Sequence, residues 1–467
     1  MPLHQFRSVK ASMWQSALDE VTVQQSGGGA ASLTAKKIVT TRPMDQDIAT
    51  NNSVAQAIHD SEFGDQALPA VAPPSGAAGI QDTAKFCANT AFRLAEARVK
   101  AFFSKNDAEY KLLQQQLSAQ FGQCDPKWGQ VIEAYVRNCI ASQKIPYRPY
   151  NNIGDYVLTD RIPQKNATIA LLADWGTGEA GAKFMLQRIA ARNPDVVLHL
   201  GDVYYSGTDH EFQNYFYSIW QPTFNLPKLN WNTKATAPTK PATFTLAGNH
   251  DMYAGGAPYY TTIDMLGQPA SYFCLRNDDW QFIALDTGYN DSNPTKEGTP
   301  TFLQDSELVW LKDKIATAGG RRTVLLSHHQ LFTGFKEEAI GGDPVNQKLY
   351  GQVKDILSNV DIWFWGHEHN LTIFKPYLGV LARCIGHAAF PIPTSQPCTR
   401  NDVPVELTLT PNQSEAFFPH GYLMMNLDGR KAHVTYIQYD FATDQESVLR
   451  EEDIPELQPQ VSTAKGE

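Results

Sequence analysis

The sequence has no apolar stretch that approaches the roughly 20 residues a membrane-spanning helix needs. Its first twenty residues, MPLHQFRSVKASMWQSALDE, are polar throughout and lack the apolar core of a signal peptide. Together these two features give the cytoplasm as the default prediction. Cysteines are scarce, six in 467 residues, and no two form a C-x-x-C pair of the kind found in zinc ribbons.

Positive charge is also in short supply. Lys and Arg number 39 against 49 Asp and Glu, so the formal net charge is -10. A surface of this sign is not expected to bind DNA, RNA or anionic lipid nonspecifically. The composition is nevertheless that of a folded protein, because 42% of the residues are hydrophobic and 11% are aromatic. A chain of this length is expected to form two or three structural units.

The chain divides into four stretches that differ in composition and in the spacing of apolar residues. Residues 1–80, with GGGAAS and APPSGAAG, are predicted to be mostly irregular. Residues 81–150 carry apolar side chains at helical spacing, with further helix starts at 106–107 and 125–126. This pattern predicts a three-helix module, which we expect to be a packing appendage. Residues 151–450 form the predicted catalytic domain, and 451–467 a loose acidic tail.

Three of the cysteines fall within the helical module. Cys87, Cys124 and Cys139 are close enough in sequence for a disulfide to form. In a reducing compartment, however, buried free thiols are expected instead.

From Thr168 onward, short apolar runs alternate with helical patterns. This alternation predicts a layered domain of sheets and helices, with ligands at the strand ends. Nearly every apolar run ends in Asp, Asn or His, as in TIALLAD, DVVLHLGD, TFTLAGN, TVLLSHH and DIWFWGH. Because such strand ends meet at one edge of a sheet, the polar side chains are expected to converge there.

The residue types at these strand ends are metal ligands. In chain order they are Asp174, Asp202, Tyr205, Asn249, His250, His328, His329, His367 and His369. Carboxylate, phenolate, amide and imidazole groups together suit iron, zinc or manganese. One such residue alone would be weak evidence, since a lone His is more often structural. Five motifs in a consistent order indicate a metal site.

The motif series DWG, GDVYY, GNHD, LLSH and GHEH resembles the signature of calcineurin-like metallophosphoesterases, and more narrowly that of the purple acid phosphatase branch. Most of the superfamily opens with D-x-H, whereas Gly176 stands at that position here. The branch makes the same replacement and supplies the ligand from a tyrosine three residues after the second Asp, which is Tyr205 in this sequence. The resemblance covers about residues 167–440 and implies an α/β fold, a four-layer α/β/β/α sandwich that follows the N-terminal helical module.

The resemblance also implies a division of the ligands between two metal ions. One ion would be held by Asp174, Tyr205 and His369, the other by Asn249, His328 and His367, with Asp202 bridging both. Two carboxylates and a phenolate form a hard, anionic set that favours Fe3+. The amide and the two imidazoles suit a divalent partner, Fe2+, Zn2+ or Mn2+.

His250 follows a ligand and is expected to point into the cleft, where it would protonate the leaving oxygen. Asp251 is expected to orient it. The branch usually has a further cleft histidine some nine residues beyond the fourth-motif ligand, where this sequence has Lys336 and Glu337. His329 or His387 is a candidate substitute.

The predicted activity is hydrolysis of a small phosphate ester by in-line attack of a hydroxide bound to the two ions. The resemblance favours monoesters. The alternative is a phosphodiesterase that acts on nucleotides or phospholipid head groups. A rival of another class is a binding protein that uses the fold as a scaffold, but all seven ligand positions are filled, which argues against it.

Overall fold

The computed structural model describes residues 8–23, 54–55, 57–58, 80–121, 124, 127–226, 240–291, 300–335, 339, 342–392, 394, 400–409, 417–440 and 445–457. The N-terminal module consists of helices α1 (Val9–Val23), α2 (Ile80–Ser104), α3 (Ala108–Phe121) and α4 (Lys127–Ala141). Aromatic side chains fill its core, where Trp14 stacks on Trp128 and meets Phe92 edge-on. Helices α2 to α4 are the three that the sequence predicts for residues 81–150.

Helix α1 lies in the stretch that was predicted to be irregular, so that prediction is wrong for residues 9–23. Most residues of α1 are buried, because α4 covers part of the helix and the predicted catalytic domain covers another part. A helix enclosed in this way has no polar face, and its sequence therefore lacks the amphipathic period that identifies surface helices. Most of the remaining residues of 1–80 lie outside the described ranges.

A disulfide joins Cys87 on α2 to Cys124, which lies between α3 and α4. The expectation of free thiols is therefore wrong for this pair, because the helix packing brings together two residues that are 37 positions apart. Among the described cysteines, Cys139, Cys274 and Cys384 are free. Structural disulfides are typical of oxidising compartments, so this bond is at odds with the cytoplasmic prediction. Within the described ranges, no helix has the length and apolar character needed to cross a bilayer.

The predicted catalytic domain contains two sheets. The strands are β1 (Val157–Leu158), β2 (Thr168–Leu172), β3 (Val196–His199), β4 (Ala242–Thr245), β5 (Phe273–Arg276), β6 (Trp280–Ala284), β7 (Arg322–Ser327), β8 (Ile362–Trp365), β9 (Leu371–Phe374), β10 (Ala382–Ile385), β11 (Val405–Thr408), β12 (His420–Asp428), β13 (Lys431–Asp440) and β14 (Gln445–Asp453). One sheet has six strands in the order β14-β13-β12-β2-β3-β4, and the other has eight in the order β1-β5-β6-β7-β8-β10-β9-β11. Strands β2, β3 and β4 are parallel, as are β6, β7 and β8.

The two sheets face each other across a shared apolar core that includes Leu171, Leu198, Phe282 and Phe364. The helices cover their outer faces. They are α5 (Ala180–Ala191), α6 (Asp209–Glu211), a π-helix (Phe212–Tyr217), α7 (Ser218–Thr223), α8 (Asn249–Tyr253), α9 (Ala257–Leu266), α10 (Asp305–Ala316), α11 (Gln347–Val353) and a 3-10 turn (Leu357–Asn359). A second apolar cluster joins α5 and α9 to the six-stranded sheet, and a third joins α10 and α11 to the eight-stranded sheet. The predicted four-layer sandwich is confirmed.

The domain extends past the predicted boundary at residue 450. Strand β14 ends at Asp453 and pairs with β13 along its whole length. Its REED segment has the composition of a solvated tail because β14 is an edge strand with many exposed side chains. Residues 458–467 lie outside the described ranges.

Helix α1 contributes a carboxylate to an acidic contact with the catalytic domain. Asp19 accepts a hydrogen bond from the Tyr215 hydroxyl. Burial and the nearby carboxylates together raise the pKa of Asp19 to about 7, against the lowering effect of the Tyr215 hydrogen bond. The titratable groups that surround it are Glu20, Glu179, Glu211, Tyr205 and Tyr215.

We expect this contact to make stability fall as pH rises from about 4 to about 7. In that window the folded chain still holds the Asp19 proton that the unfolded chain has released. The free energy of unfolding should therefore fall by up to about 1.4 kcal/mol per pH unit, the most that one proton contributes. Asp19→Asn should remove this part of the slope in urea titrations across pH. An unchanged slope would contradict the assignment.

Candidate metal centre

The predicted ligands lie at the ends of parallel strands in both sheets. Asp174, Asp202 and Asn249 follow β2, β3 and β4 of the six-stranded sheet, while His328 and His367 follow β7 and β8 of the eight-stranded sheet. All of these side chains are buried. Because the two sheets face each other, their strand ends form the two sides of one site.

The backbone is strained where it delivers three of these side chains. Asp174, Asp202 and His367 have φ values of 57°, 77° and 66°, in the left-handed region. Such conformations cost on the order of 1–3 kcal/mol each and cluster at functional sites. Close packing adds a further constraint, because a Cβ at Gly248 would lie 2.0 Å from Asp202 Oδ1. Gly176 has no room for a side chain either, since its Cβ would lie 2.7 Å from the Asp202 carbonyl oxygen.

One group of side chains, the first ligand set, comprises Asp174, Asp202, Tyr204 and His369. The Tyr204 hydroxyl lies 3.0 Å from Asp174 Oδ1, 3.1 Å from Asp202 Oδ2 and 2.8 Å from His369 Nε2. His369 Nε2 is also 3.2 Å from Asp174 Oδ1. Two carboxylates, a phenol and an imidazole therefore converge on one point.

The second ligand set comprises Asp202, Asn249, His328 and His367. Asn249 Oδ1 lies 3.1 Å from His328 Nε2 and 3.1 Å from His367 Nδ1. His328 Nε2 is 3.4 Å from Asp202 Oδ1. Asp202 thus directs Oδ2 to the first set and Oδ1 to the second.

Tyr205, predicted as the phenolate ligand, is not part of either set. Its phenol is buried near the carboxylates of Asp19, Glu179 and Glu211, which together with burial raise its pKa. Tyr204, which sequence reasoning missed, occupies the position expected of Tyr205. Residues 203–208 form an irregular loop, so no strand or helix period indicates which of the two adjacent tyrosines faces the site.

His250 lies beside the first set, with its ring 4.7 Å from that of Tyr204. Its Nδ1 is 2.5 Å from the Tyr205 carbonyl oxygen, which can only accept, so Nδ1 carries the proton. This tautomer leaves Nε2 as the atom with a lone pair. Burial lowers the pKa of His250.

Asp251 does not orient His250, and that prediction is wrong. Its carboxylate instead accepts hydrogen bonds from three backbone N–H groups, those of Asp202 and Val203 at 2.9 Å and of Gly248 at 2.7 Å. Residues one apart on a short helix point in different directions, which brings Asp251 to the backbone and His250 to the cleft. Asp251 therefore holds the loops that present Asp202 and Asn249.

His329 is buried next to the second set, and its ring lies 4.4 Å from that of His367. Both ring nitrogens have partners, because Nδ1 is 3.0 Å from Thr287 Oγ1 and Nε2 is 3.0 Å from Asp291 Oδ2. Because both ring nitrogens are engaged, His329 is better placed to support the site than to act as a proton donor. The other candidate, His387, is buried, and burial lowers its pKa to about 3. Lys336 and Glu337 lie outside the described residues.

The electrostatics of the cluster call for cations. Burial opposes ionisation of Asp202, but His328 and His250 outweigh it and hold its pKa well below the usual range. Burial and the Asp202 charge raise the pKa of Asp251, against the lowering effect of its backbone hydrogen bonds. The carboxylates of Asp202 and Asp174 in turn outweigh the burial of His328 and raise its pKa to about 9. Potential ligand atoms form two groups, and within each group all atoms lie within 4.8 Å of one another. The groups are Asp174–Asp202–His328 and His328–His329–His367. The residues present thus fit metal ions.

Residues 167–371 match the family model for calcineurin-like phosphoesterases. This part of the chain is similar to calcineurin-like phosphoesterase domains. This similarity supports metal-dependent hydrolysis of phosphoesters. No curated protein matches the sequence.

Several solved structures resemble the domain at low identity. GAP50 of Plasmodium, described as the anchor in the inner membrane complex, is 13% identical over 62% of this chain and 89% of its own, with a TM-score of 0.43. A dimetal phosphatase from Danio rerio is 11% identical over 62% and 99%, with a TM-score of 0.40. Vacuolar Protein Sorting 29 from Cryptosporidium parvum is 13% identical over 62% and 100%, with a TM-score of 0.30. These values are too low to carry the function of any of these proteins over to the present chain.

Proposed function

We propose that this calcineurin-like phosphoesterase domain hydrolyses small phosphate monoesters at a dinuclear metal centre. The observation that carries the proposal is the position of Asp202, whose two carboxylate oxygens face different ligand sets. One buried carboxylate shared between two sets of donors is the arrangement that two adjacent ions require.

The first ion would be held by Asp174, Asp202, Tyr204 and His369, and the second by Asp202, Asn249, His328 and His367. The first set is hard and anionic, which favours Fe3+, whereas the second suits Fe2+, Zn2+ or Mn2+. When bound, the two ions would activate water and neutralise charge on the phosphoryl oxygens. The phenol and the glycine at 176 favour the purple acid phosphatase branch, although the phenol comes from one residue earlier than the branch pattern implies.

The side chains of the chain supply the rest of the chemistry. His250 adjoins the first set with Nδ1–H held by a backbone carbonyl, so Nε2 is the atom that would first take up a proton and then pass it to the leaving oxygen. Asp251 holds the backbone of Asp202 and Val203 and so fixes the carboxylate that would contact both ions.

Metal analysis together with substrate comparison tests the proposal. The purified chain should hold two ions, and a chelator should abolish turnover of p-nitrophenyl phosphate until ions are restored. Reconstitution with one type of metal ion at a time shows which metals support turnover. Turnover that requires the ions but favours bis(p-nitrophenyl) phosphate would replace monoester hydrolysis with the phosphodiesterase alternative. A folded chain that binds no ions would contradict the enzyme and support the scaffold rival.

A further inference from the structure

The N-terminal module touches the segment that delivers Tyr204. Ser16 of α1 donates a hydrogen bond of 2.7 Å to Glu211 Oε1, and both residues are buried. Helix α1 also packs against α8, which carries Asn249 and His250. Ala254, directly after α8, belongs to the apolar core of the module. The module therefore contacts two elements of the metal centre.

Glu211 gathers hydrogen bonds from the loop of residues 205–208. Its carboxylate accepts from the backbone N–H of Tyr205, from those of Ser206 at 3.1 Å and Thr208 at 2.9 Å, and from the Thr208 hydroxyl at 3.1 Å. With Ser16, five donors converge on one buried side chain. Since the loop has no regular structure, its N–H groups depend on this carboxylate for partners.

Local helix capping explains only part of this arrangement. Thr208 and Glu211 form a capping box at the start of α6. A capping box accounts for the contacts with Thr208, but not for the bonds from Tyr205, Ser206 and Ser16. These additional bonds extend from the cap to the metal-site loop on one side and to the module on the other.

Two buried carboxylates consequently hold the loop around Tyr204. Asp251 binds the N–H groups of the two residues before Tyr204, and Glu211 binds those of the two residues after it. The Tyr204 N–H donates to the Gly176 carbonyl at 2.9 Å. The direction of the Tyr204 phenol therefore depends on both carboxylates.

We propose that Glu211 is a positioning residue that couples helix α1 to the first ligand set, so that the N-terminal module completes the metal centre. This inference rests on the proposed function for its effect on metal binding. It replaces the expectation that the module is only an appendage. Support residues around metal ligands contribute about 10–100-fold to metal affinity when they are intact.

The test compares Ser16→Ala, Glu211→Gln and the double variant, with Ser142→Ala as the control. Ser142 lies in the same module and donates to the Cys139 carbonyl at 2.7 Å, so its replacement removes one hydroxyl from the module without removing a donor to Glu211. The measurements are hydrogen exchange at the 205, 206 and 208 amides in metal-free protein, and Mn2+ and Zn2+ affinity by chelator competition.

Glu211→Gln should speed exchange at these amides and weaken metal binding about 10–100-fold, because an amide cannot accept from all five donors. Ser16→Ala should act in the same direction to a smaller extent. The double variant should be no worse than Glu211→Gln, because Ser16 acts through Glu211. Ser142→Ala should change neither measurement.

Unchanged exchange and affinity in Ser16→Ala would overturn the coupling, and so would additive effects in the double variant. A lower unfolding temperature with unchanged affinity would reduce Glu211 to a structural role. Should Glu211→Gln fail to fold, Ser16→Ala still decides. Failure of the proposed function is a separate result: wild-type protein would bind no ions, while the exchange data on metal-free protein would still test the coupling.

Discussion

Replacing Tyr204 with phenylalanine should remove the ion of the first set and lower kcat by more than about 100-fold. The phenol oxygen lies within 3.1 Å of both carboxylates and of His369, so no other described group fills its place. Changes to residues that only support metal ligands cost about 10–100-fold in affinity, and loss of a direct ligand should exceed that range. Metal content per chain and turnover of p-nitrophenyl phosphate give the measurement.

Tyr205→Phe is the matched control, because it removes the same atom from the adjacent residue. Its phenol lies near Asp19, Glu179 and Glu211 and away from the ligands, so metal content should stay at the wild-type level. If the first ion is Fe3+, phenolate charge transfer should colour the wild type and Tyr205→Phe but not Tyr204→Phe. Bleaching by Tyr205→Phe alone would overturn the assignment of Tyr204 and restore the sequence-based prediction.

His250→Ala should keep both ions while kcat falls by roughly 10²–10⁴-fold, the usual contribution of a positioned acid or base. The structure motivates this expectation because the Tyr205 carbonyl fixes the ring by Nδ1, beside Tyr204. The loss should shrink for substrates whose leaving groups have a low pKa, since those need little protonation. Turnover of a series of aryl phosphates by the wild type and by His250→Ala gives the comparison.

His329→Ala separates a proton donor from a supporting histidine. His329 is also buried and close to the ligands, but Thr287 and Asp291 engage both of its ring nitrogens. Its replacement should therefore change kcat equally for good and poor leaving groups. Loss of an ion in His250→Ala, or a rate loss independent of the leaving group, would contradict the proton-transfer role.

The sequence predicted the site best where a regular element determines direction. Asp174, Asp202, Asn249, His328 and His367 each follow a buried parallel strand, and the ends of such strands meet at one edge. The structure brings these residues together with His369 in two sets that share Asp202. The layered fold followed from the same alternation of strands and helices.

Prediction failed where long-range packing decides the outcome. The choice between Tyr204 and Tyr205 depends on hydrogen bonds from a loop to Asp251 and Glu211, and neither contact leaves a period in the sequence. Asp251 was given the wrong partner because adjacency in sequence to His250 was taken as contact. Helix α1 went unnoticed because burial on most sides removes the polar face that identifies a helix.

The position of the centre between the two sheets has a consequence for the whole domain. Each ligand set draws residues from both sheets: Asp174, Tyr204 and Asn249 come from the six-stranded side, and His328, His367 and His369 from the eight-stranded side. Bound ions would thus link the two sheets, since separating the sheets would break both coordination spheres. An ion at 1,000 times its dissociation constant adds about 4 kcal/mol to the stability of the folded state. The stability of the folded domain would then depend on the metal concentration around it. Loss of metal would make the domain more susceptible to proteolysis and would also remove its activity.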